Sequence, residues 1–456
     1  MYNDGDMDKN NRIAILGGGP AGLSLAMYLE KKGYANYVIY EKSGRVGGKC
    51  CSPVYNGAAI ELGAVMGAPS YYAVKDVEEY CGFTHDGPSM KREFKRKDGT
   101  VYDPFDGNDP KNVPHMKRIR KQLARMALLL ETKYKGYDVN GHRGVAFGRY
   151  EGDAATPSRP HIEGENPNLK DLSLPFKEFC KLNKVPLIQE MWIGPFTPFG
   201  YGYFDEIPAA YVLKYLDMQT LLNFTKVNLW TWKEGTESIW RRLNEKLMHP
   251  AALNSLVTSI ERKDGKVFLT VNGREEVFDI LVITSPLDQL GSFMKLREEE
   301  QEHFSKILTV AYDTFAVDIE KGDYPEHSYY ILENMTPTRR GHLQVYYKRD
   351  ESRIDLPIVT YSIRSHLGKR TLSYKRGKAM VLADLALAKN KASKVLEEHS
   401  WYYFPHVDSS TYASGWYDEV EAMQGKENTF YAGEVMSFGD MDEVSEYSRE
   451  LVERFF

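Results

Sequence analysis

The sequence is poor in the residues that build disulfide frameworks and metal centres. Its cysteines include one adjacent pair but no Cys-x-x-Cys spacing, which excludes a disulfide scaffold and a zinc-finger type of site. The 11 histidines form neither His-x-His nor His-Glu-x-x-His, so we expect no metal centre. A Gly-x-Ser-x-Gly elbow for a nucleophilic serine is also missing. The four cysteines are Cys50, Cys51, Cys81 and Cys180.

Long apolar runs and an excess of basic charge are missing as well. No run reaches the roughly 18 apolar residues that a membrane span requires. The N-terminal stretch MYNDGDMDKNN is too acidic and polar for a secretory signal. The net charge of -5 argues against a nucleic-acid-binding protein. We therefore expect a cytoplasmic protein with reduced thiols, no nucleic-acid partner and no transmembrane segment.

Two basic runs stand out against this acidic balance. The first is Lys91–Lys97 (KREFKRK), and the second contains Lys117, Arg118, Arg120, Lys121 and Arg125. Such runs are usually solvated faces, and the alternative is a surface that attracts an anionic ligand or a membrane. A peripheral membrane contact for substrate uptake therefore stays open, and the sequence does not determine the oligomeric state.

The chain is long enough for several domains and a large core. Its 456 residues suggest about three folding units at roughly 150 residues each. Hydrophobic residues make up 42% and charged residues 27%, which excludes wholesale disorder. Aromatic residues make up 12%, which suits either a lined, partly apolar cavity or an ordinary aromatic core.

The first forty residues carry a dinucleotide-binding pattern. Gly17 permits a tight turn, Gly19 lets backbone N–H groups approach a pyrophosphate, and Gly22 allows helix and strand to pack closely. Glu41, 19 residues after Gly22, is positioned to accept hydrogen bonds from a ribose. The predicted order is a strand at Arg12–Leu16, the turn Gly17-Gly18-Gly19-Pro20-Ala21-Gly22, a helix to about Lys32, a strand at Tyr37–Tyr40, and then Glu41.

The motifs that follow resemble those of the flavin amine oxidase superfamily. They are Arg45-Val46-Gly47-Gly48-Lys49 and Glu61-Leu62-Gly63-Ala64-Val65-Met66-Gly67. The resemblance implies that the first segment wraps the pyrophosphate of FAD and that the second passes beside its isoalloxazine ring. Lys49 stands where the superfamily has a second arginine; it can still neutralise phosphate but lacks the bidentate fork.

Distant segments extend this resemblance. It implies an adenine contact at Val257, before a hairpin over Val267–Val271 and Glu276–Phe278, and a returning strand at Ile280–Thr284. Glu434, after a strand at Thr429–Ala432, would accept from ribityl or ribose hydroxyls. The N–H of Val444, at a helix start, would face the flavin O2. The implied cofactor contacts are Gly17, Gly19, Pro20, Ala21, Gly22, Glu41, Lys42, Arg45, Gly48, Lys49, Ala64, Val65, Met66, Val257, Glu434 and Val444.

The predicted fold class is α/β. It combines a Rossmann-like FAD-binding domain of the amine oxidase type with a helical cap domain and an antiparallel-sheet substrate domain. Helices are predicted at Met116–Tyr134, Pro175–Leu182 and Ala209–Phe224, and a surface loop at 143–168. The glycines and prolines of the aromatic run 192–204 favour a non-helical wall. The predicted segments are 9–87, 225–290 and 405–456 for the FAD domain, 104–224 for the cap, and 88–103 with 291–404 for the substrate domain.

Much of the chain is similar to the flavin-dependent polyunsaturated fatty acid double-bond isomerases. The matching stretches are VGGKC (46–50), GPSMKREF (87–94), PFTPFGYGYFDEIPAAYVLKYLD (195–217), LWTWKEGT (229–236), WYYFPH (401–406) and GEVMSFGDMDEV (433–444). The loop at 143–168 lies outside this similarity and has the character of an insertion. The resemblance implies a free polyunsaturated fatty acid as substrate, bound in a curved apolar tunnel.

The resemblance also assigns residues to the substrate. Arg92 would hold the carboxylate, Phe199 would be an aromatic gate beside it, and Phe224 would lie near the reacting carbons. Without the resemblance, Arg92 is one charge on a solvated hairpin. The implied reaction removes a hydride from an allylic carbon to the flavin N5 and returns it at another carbon, which gives a conjugated isomer of a linoleic-acid-like substrate. It needs no side chain as a catalytic acid or base.

Three alternatives remain at this point. A flavin amine or polyamine oxidase, or a desaturase-like oxidase, would release hydrogen peroxide, and a flavin-stabilised lipid carrier would not turn over. Against an amine oxidase, Tyr447-Ser448 replaces the superfamily's Ser-Gly. The Ser-Gly-Gly-Cys-Tyr attachment motif is absent, so FAD is expected to be non-covalent.

Overall fold

A computed structural model describes residues 7–134, 168–322, 324–365 and 371–456. The predicted loop at 143–168 lies outside the described residues apart from Asn168. The strands are β1 (Ile13–Leu16), β2 (Tyr37–Tyr40), β3 (Val54–Tyr55), β4 (Ala58–Ala59), β5 (Arg92–Lys95), β6 (Val101–Tyr102), β7 (Val257–Lys263), β8 (Lys266–Val271), β9 (Arg274–Phe278), β10 (Ile280–Ile283), β11 (Leu308–Gly322), β12 (Ser328–Tyr330), β13 (Val345–Lys348), β14 (Ile358–Ile363), β15 (Asn390–His406) and β16 (Thr429–Tyr431).

The α-helices alternate with these strands in the first and last parts of the chain and cluster in the middle. They are α1 (Pro20–Lys31), α2 (Tyr72–Cys81), α3 (Val113–Glu131), α4 (Leu169–Leu172), α5 (Phe176–Leu182), α6 (Gln189–Phe196), α7 (Ala209–Tyr215), α8 (Met218–Lys226), α9 (Glu237–Lys246), α10 (Glu298–Phe304), α11 (Tyr374–Leu387), α12 (Ser409–Ala413), α13 (Trp416–Glu421) and α14 (Met441–Phe455).

A four-stranded parallel sheet in the order β16-β10-β1-β2 forms the centre of the nucleotide-type fold. Its strands are short and apolar, as expected for a parallel sheet covered on both faces. They come from three separate parts of the chain. Their carboxyl ends meet at one edge, where α/β folds bind ligands.

A three-stranded antiparallel sheet, β7-β8-β9, lies beside β10 in sequence. The hairpin predicted from Val267–Val271 and Glu276–Phe278 is its β8–β9 pair. Asn272 and Gly273 between the two strands have φ values of 47° and 79°. Two positive φ values are what a tight hairpin turn requires, and Asn-Gly supplies them at low cost.

The largest sheet has seven strands in the order β15-β11-β14-β13-β12-β5-β6. Its pairs are antiparallel except for β12 with β5, which are parallel. The prediction of an antiparallel sheet therefore needs one correction. The exception arises because β5 comes from a distant segment and enters the sheet beside β12 without a hairpin.

The helices from α3 to α8 correct two sequence predictions. The predicted helix Ala209–Phe224 is two helices, because Asp217 interrupts it and caps α8 by accepting a hydrogen bond from the Thr220 N–H at 2.6 Å. The predicted non-helical wall is also wrong in its first part, since α6 continues to Phe196 with Pro195 in its last turn. Among the residues that the structure describes, no helix has the length and apolar character needed to cross a bilayer.

Candidate active site

The glycine-rich turn connects β1 to the N-terminus of α1. Gly17 has a φ of 121°, which L-residues rarely adopt. A Cβ on Gly22 would lie 2.0 Å from the Gly17 carbonyl oxygen, so only glycine fits between turn and helix. Pro20 occupies the first turn of α1, where its missing N–H costs nothing. The turn therefore presents the N-terminus of α1 without side chains in front of it.

Glu41 follows β2 at the same edge of the sheet. Its Oε2 accepts a hydrogen bond from the Gly18 N–H at 2.9 Å, and its Oε1 accepts one from the Ser43 N–H at 2.8 Å. The carboxylate is thus held across the glycine turn. An ionised carboxylate has further lone pairs for hydroxyl donors.

The Arg45 side chain forms hydrogen bonds within its own loop. Its guanidinium donates to the carbonyl oxygens of Gly48 at 2.7 Å and Cys50 at 3.0 Å, and lies 3.6 Å from Glu237. Lys49 from the same loop forms an ion pair with Glu434, with 2.6 Å between Nζ and Oε2. This ion pair therefore links the loop at 45–49 to the segment after β16.

A buried ion pair fixes the loop at 61–67. Glu61 is fully buried, and its Oε1 lies 3.2 Å from Nη1 of Arg349 and accepts a hydrogen bond from the Thr236 N–H at 2.9 Å. Burial raises the pKa of the Glu61 carboxyl, and Arg349 opposes that shift. The Leu62 carbonyl accepts from the indole N–H of Trp401 at 2.6 Å. The loop is thereby anchored to the seven-stranded sheet.

These segments enclose a cavity of about 600 Å³, which we call the glycine-turn cavity. Fifteen of the 16 predicted cofactor contacts line it. The exception is Gly22, which lies behind the turn and acts through packing. The lining contacts are Gly17, Gly19, Pro20, Ala21, Glu41, Lys42, Arg45, Gly48, Lys49, Ala64, Val65, Met66, Val257, Glu434 and Val444.

The N-terminus of α14 differs from the prediction made for Val444. The helix begins at Met441, so the Val444 N–H already donates to the Asp440 carbonyl at 3.2 Å. The N–H groups of Asp442 and Glu443 donate to the Asp440 side chain at 2.8 Å each. Among the described residues, the Met441 N–H has no acceptor, and Met441 also lines the cavity. The Val444 N–H is therefore engaged within the helix, and its contact with the flavin O2 stays a prediction.

One end of the glycine-turn cavity is aromatic. Its wall contains Tyr201, Tyr312 and Tyr403. The ring centroid of Tyr403 lies 5.8 Å from that of Tyr201 and 5.2 Å from that of Tyr312. The hydroxyl of Tyr201 donates to the Gly439 carbonyl at 3.2 Å, and that of Tyr312 to the Pro198 carbonyl at 2.6 Å. Burial raises the pKa of both hydroxyls well above the usual range. These phenols therefore stay neutral near pH 7.

The sequence analysis missed several of these wall residues. Trp401 and Tyr403 were noted only as part of the matching stretch 401–406, and Tyr312 was not singled out. Ser285, directly after β10, lines the cavity, and its buried hydroxyl has no partner among the described residues. Its position at the carboxyl end of a parallel strand was the available signal.

A second cavity of about 660 Å³ contains Arg92, and we call it the Arg92 cavity. Arg92 opens β5 and is half-buried, with its Cζ 5.4 Å from the ring centroid of Phe94. Its Nη2 donates to the Thr225 carbonyl at 3.3 Å, and no described carboxylate lies within 4 Å of the guanidinium. Burial lowers the pKa of Arg92, yet an arginine stays charged. The apolar part of the cavity wall includes Phe94, Phe105, Ile119, Leu123 and Met191, and the wall also contains the charged residues Glu93, Asp103, Arg120 and Glu190.

Phe199 and Phe224 are in contact where the two cavities approach each other. Their ring centroids are 5.9 Å apart at an angle of 56°. Phe199 lines the glycine-turn cavity, whereas Phe224 lines the Arg92 cavity. The expected order was the reverse, with Phe199 beside Arg92. The correction follows from the packing of α8 on α6, which brings Phe224 and Thr225 toward Arg92.

Comparison with known proteins decides the family. A family model described as flavin containing amine oxidoreductase matches residues 20–439. The chain belongs to this family. As a flavin-containing amine oxidoreductase it takes a flavin cofactor, and the predicted fold class is confirmed.

Relatives of this amine oxidoreductase include two fatty acid isomerases. A solved CLA-producing fatty acid isomerase from P. acnes is 42% identical, with a TM-score of 0.89 over 99% of this chain and 100% of the other. The polyenoic fatty acid isomerase of Ptilota filicina is 27% identical over 216 residues, which are 45% of this chain. In that match the chain spans 41% of the curated relative's length.

A more distant amine oxidoreductase shares the fold alone. The structure of wild-type putrescine oxidase bound to putrescine aligns with a TM-score of 0.68 over 97% of this chain and 98% of the other, at 14% identity. The family scaffold is therefore common to enzymes whose names describe different substrates.

Proposed function

We propose that this chain is an FAD-dependent isomerase that converts a free polyunsaturated fatty acid into a conjugated isomer. The observation that carries the proposal is the relation between the two cavities. Phe224 in the wall of the cavity that contains the half-buried Arg92 is in contact with Phe199 in the wall of the glycine-turn cavity. The high similarity to the P. acnes isomerase supports the same conclusion. The cytoplasmic location is part of the proposal.

The residues that line the glycine-turn cavity are suited to the groups of FAD. Gly17 and Gly22 leave the N-terminus of α1 open for a pyrophosphate. We assign the ribose to Glu41, which is held against the glycine turn, and the adenine to Val257, which also lines the cavity. The unpartnered hydroxyl of Ser285 offers one more hydrogen bond toward the cofactor.

Non-covalent attachment is supported by the state of the cysteine in the cavity wall. Cys50 lines the cavity, and its Sγ accepts a hydrogen bond from the Trp240 indole at 3.0 Å. Burial raises the pKa of the Cys50 thiol well above its usual range, so the nucleophilic thiolate is disfavoured. Heat denaturation should release the whole yellow chromophore into the supernatant. Colour that stays with the precipitated protein would show a covalent flavin.

In the Arg92 cavity, Arg92 is the group suited to a fatty acid carboxylate. It is a permanent cation and has donors left after its one bond to Thr225. Phe94 and Phe105 offer apolar surface for the chain that follows the carboxylate. The acyl chain would then pass Phe224 and Phe199 to reach the aromatic end of the glycine-turn cavity.

The residues at the aromatic end of the glycine-turn cavity fit a reaction without proton transfer. When bound, FAD supplies a centre that takes up a hydride and gives it back, so the reaction has no net oxidation. The neutral phenols of Tyr201 and Tyr312 donate to backbone carbonyls, which leaves them unsuited as bases. Aromatic rings such as Phe199 and Phe224 can stabilise positive charge that develops on the acyl chain. Exclusion of water by this wall protects such a charge.

An anaerobic assay tests the proposal. The purified yellow protein is incubated with linoleic acid under argon, and absorbance of the conjugated diene is followed. Sustained formation of the diene over many turnovers is expected. Peroxide formation with a polyamine in air, without diene, would instead support an amine oxidase. Fatty acid binding without turnover would support a lipid carrier.

A further inference from the structure

Helix α3 has two faces with different chemistry. Met116, Ile119 and Leu123 face inward and line the Arg92 cavity. Lys117, Arg118 and Lys121 are exposed on the other side. No acidic residue occurs in α3 before its last residue, Glu131. The helix is thus both a wall of the proposed substrate cavity and a basic outer surface.

Among the residues that the structure describes, no carboxylate pairs with the cations on the outer surface of α3. Lys117, Arg118 and Lys121 make no ion pair or hydrogen bond with any residue in the described ranges. The other basic run of the sequence behaves differently: Lys91 pairs with Glu351, and Arg96 lies 3.7 Å from Glu333. Within the described ranges, the outer surface of α3 therefore carries unpaired positive charge, in a chain whose net charge is -5.

Exposed leucines lie next to these cations. Leu128 of α3 is 63% exposed, one helical turn beyond Arg125. Arg125 donates through Nε to the Asn183 carbonyl at 2.8 Å, which brings Leu182 to the same area; Leu182 is 51% exposed. Cations together with protruding leucines are the combination by which peripheral proteins bind an anionic bilayer.

The Arg92 cavity reaches the surface beside this helix. Arg120 lines the cavity and is itself exposed, so the cavity wall and the outer surface meet at this residue. A fatty acid that leaves a bilayer at this point would have only a short path to the apolar wall of the cavity.

We propose that the outer surface of α3, formed by Lys117, Arg118, Lys121 and Leu128, docks on an anionic lipid bilayer. It would thereby place the Arg92 cavity at the lipid surface. The assignment of a docking surface rests on the charge and exposure of α3. The role of docking in supplying fatty acid to the Arg92 cavity rests on the proposed function. Each cation near an anionic bilayer strengthens binding about fivefold. Three together account for a factor on the order of 100.

Vesicle flotation with the full-length holoprotein tests the proposal. The probes are vesicles of phosphatidylcholine alone and vesicles with phosphatidylglycerol added. We expect flotation with the anionic vesicles only, and release at about 1 M salt, where the Debye length falls to about 3 Å. The triple variant Lys117→Glu, Arg118→Glu and Lys121→Glu should bind at least about 100-fold more weakly. Leu128→Ser should weaken binding less and leave the salt dependence in place.

A matched control separates the site from net charge. Arg274, Lys295 and Lys394 are exposed on other elements. Their reversal to glutamate changes the net charge by the same amount and should leave flotation within about twofold, because only charges within a Debye length of the bilayer contribute. Equal loss in both triple variants, or equal binding to neutral and anionic vesicles, would overturn the proposal. So would stronger competition by single-stranded DNA than by anionic vesicles.

Activity distinguishes this proposal from the proposed function. With monomeric fatty acid in dilute detergent, the α3 triple variant should keep wild-type activity, since none of its three residues lines either cavity. With fatty acid supplied in anionic vesicles, its rate should fall. A wild-type protein that binds vesicles but forms no conjugated diene would refute the function and leave the docking surface intact. Unchanged rates with vesicle-borne substrate would refute the role of docking.

Discussion

Removal of the Arg92 guanidinium should distinguish a free acid from its ester. Arg92 is half-buried, uses one donor on the Thr225 carbonyl, and has no described carboxylate within 4 Å. Burial lowers its pKa because the cation loses solvation, and a bound carboxylate would restore a favourable partner. In Arg92→Ala, a free fatty acid would lose this partner, whereas a methyl ester has no charge to lose.

The size of the effect follows from the type of bond. Hydrogen bonds to charged groups contribute about 1.5–3 kcal/mol, which corresponds to roughly 10- to 150-fold in affinity. We expect kcat/KM of Arg92→Ala for linoleic acid to fall within this range, and that for methyl linoleate to change by less than about threefold. Arg92→Lys should be intermediate because lysine keeps the charge without the bidentate fork.

The assay measures kcat and KM for both substrates by diene absorbance. Lys97→Ala is the control, because Lys97 belongs to the same basic run, is exposed, and lies outside the Arg92 cavity. It should leave both substrates unaffected. Equal losses for acid and ester in Arg92→Ala would refute the carboxylate role, and unchanged kinetics for the acid would do so as well.

Three further predictions concern the glycine-turn cavity and its anchors. Gly22→Ala should lose bound flavin because the new Cβ would lie 2.0 Å from the Gly17 carbonyl oxygen. The measurement is the flavin-to-protein absorbance ratio. Gly194→Ala is the control and should retain flavin, since its new Cβ would meet no neighbouring atom within 4 Å. Lys49→Met should weaken flavin retention several-fold by leaving Glu434 as an uncompensated carboxylate in the cavity wall, and Lys49→Arg should restore it. Glu61→Gln should lower the free energy of unfolding by about 3–5 kcal/mol, because it leaves the buried Arg349 without its counter-charge. Urea titration measures this change, and a loss below about 1 kcal/mol would contradict the anchoring role.

The nucleotide fold could be predicted from sequence because its signals are local. Gly17 needs a positive φ and Gly22 has no room for a Cβ, and the short apolar strands leave few alternative arrangements. The helical layer was harder. The predicted helix Ala209–Phe224 ran through Asp217, but the side chain of Asp217 caps α8 instead. Aspartate is preferred at helix N-caps over helix interiors, so Asp217 was the available signal for this break.

The sequence by itself determined the cofactor motif and the family resemblance, and it predicts which residues would contact a flavin. These depend on short stretches whose backbone geometry is dictated by glycine, proline and apolar periodicity. Tertiary structure alone decided that Phe224 shares a cavity with Arg92 while Phe199 lines the other, and that the Val444 N–H donates to the Asp440 carbonyl. It also decided that Lys91 pairs with Glu351, whereas Lys117, Arg118 and Lys121 have no ion-pair partner among the described residues. The reason is that these properties depend on distances between residues far apart in the chain, and a linear pattern does not contain them.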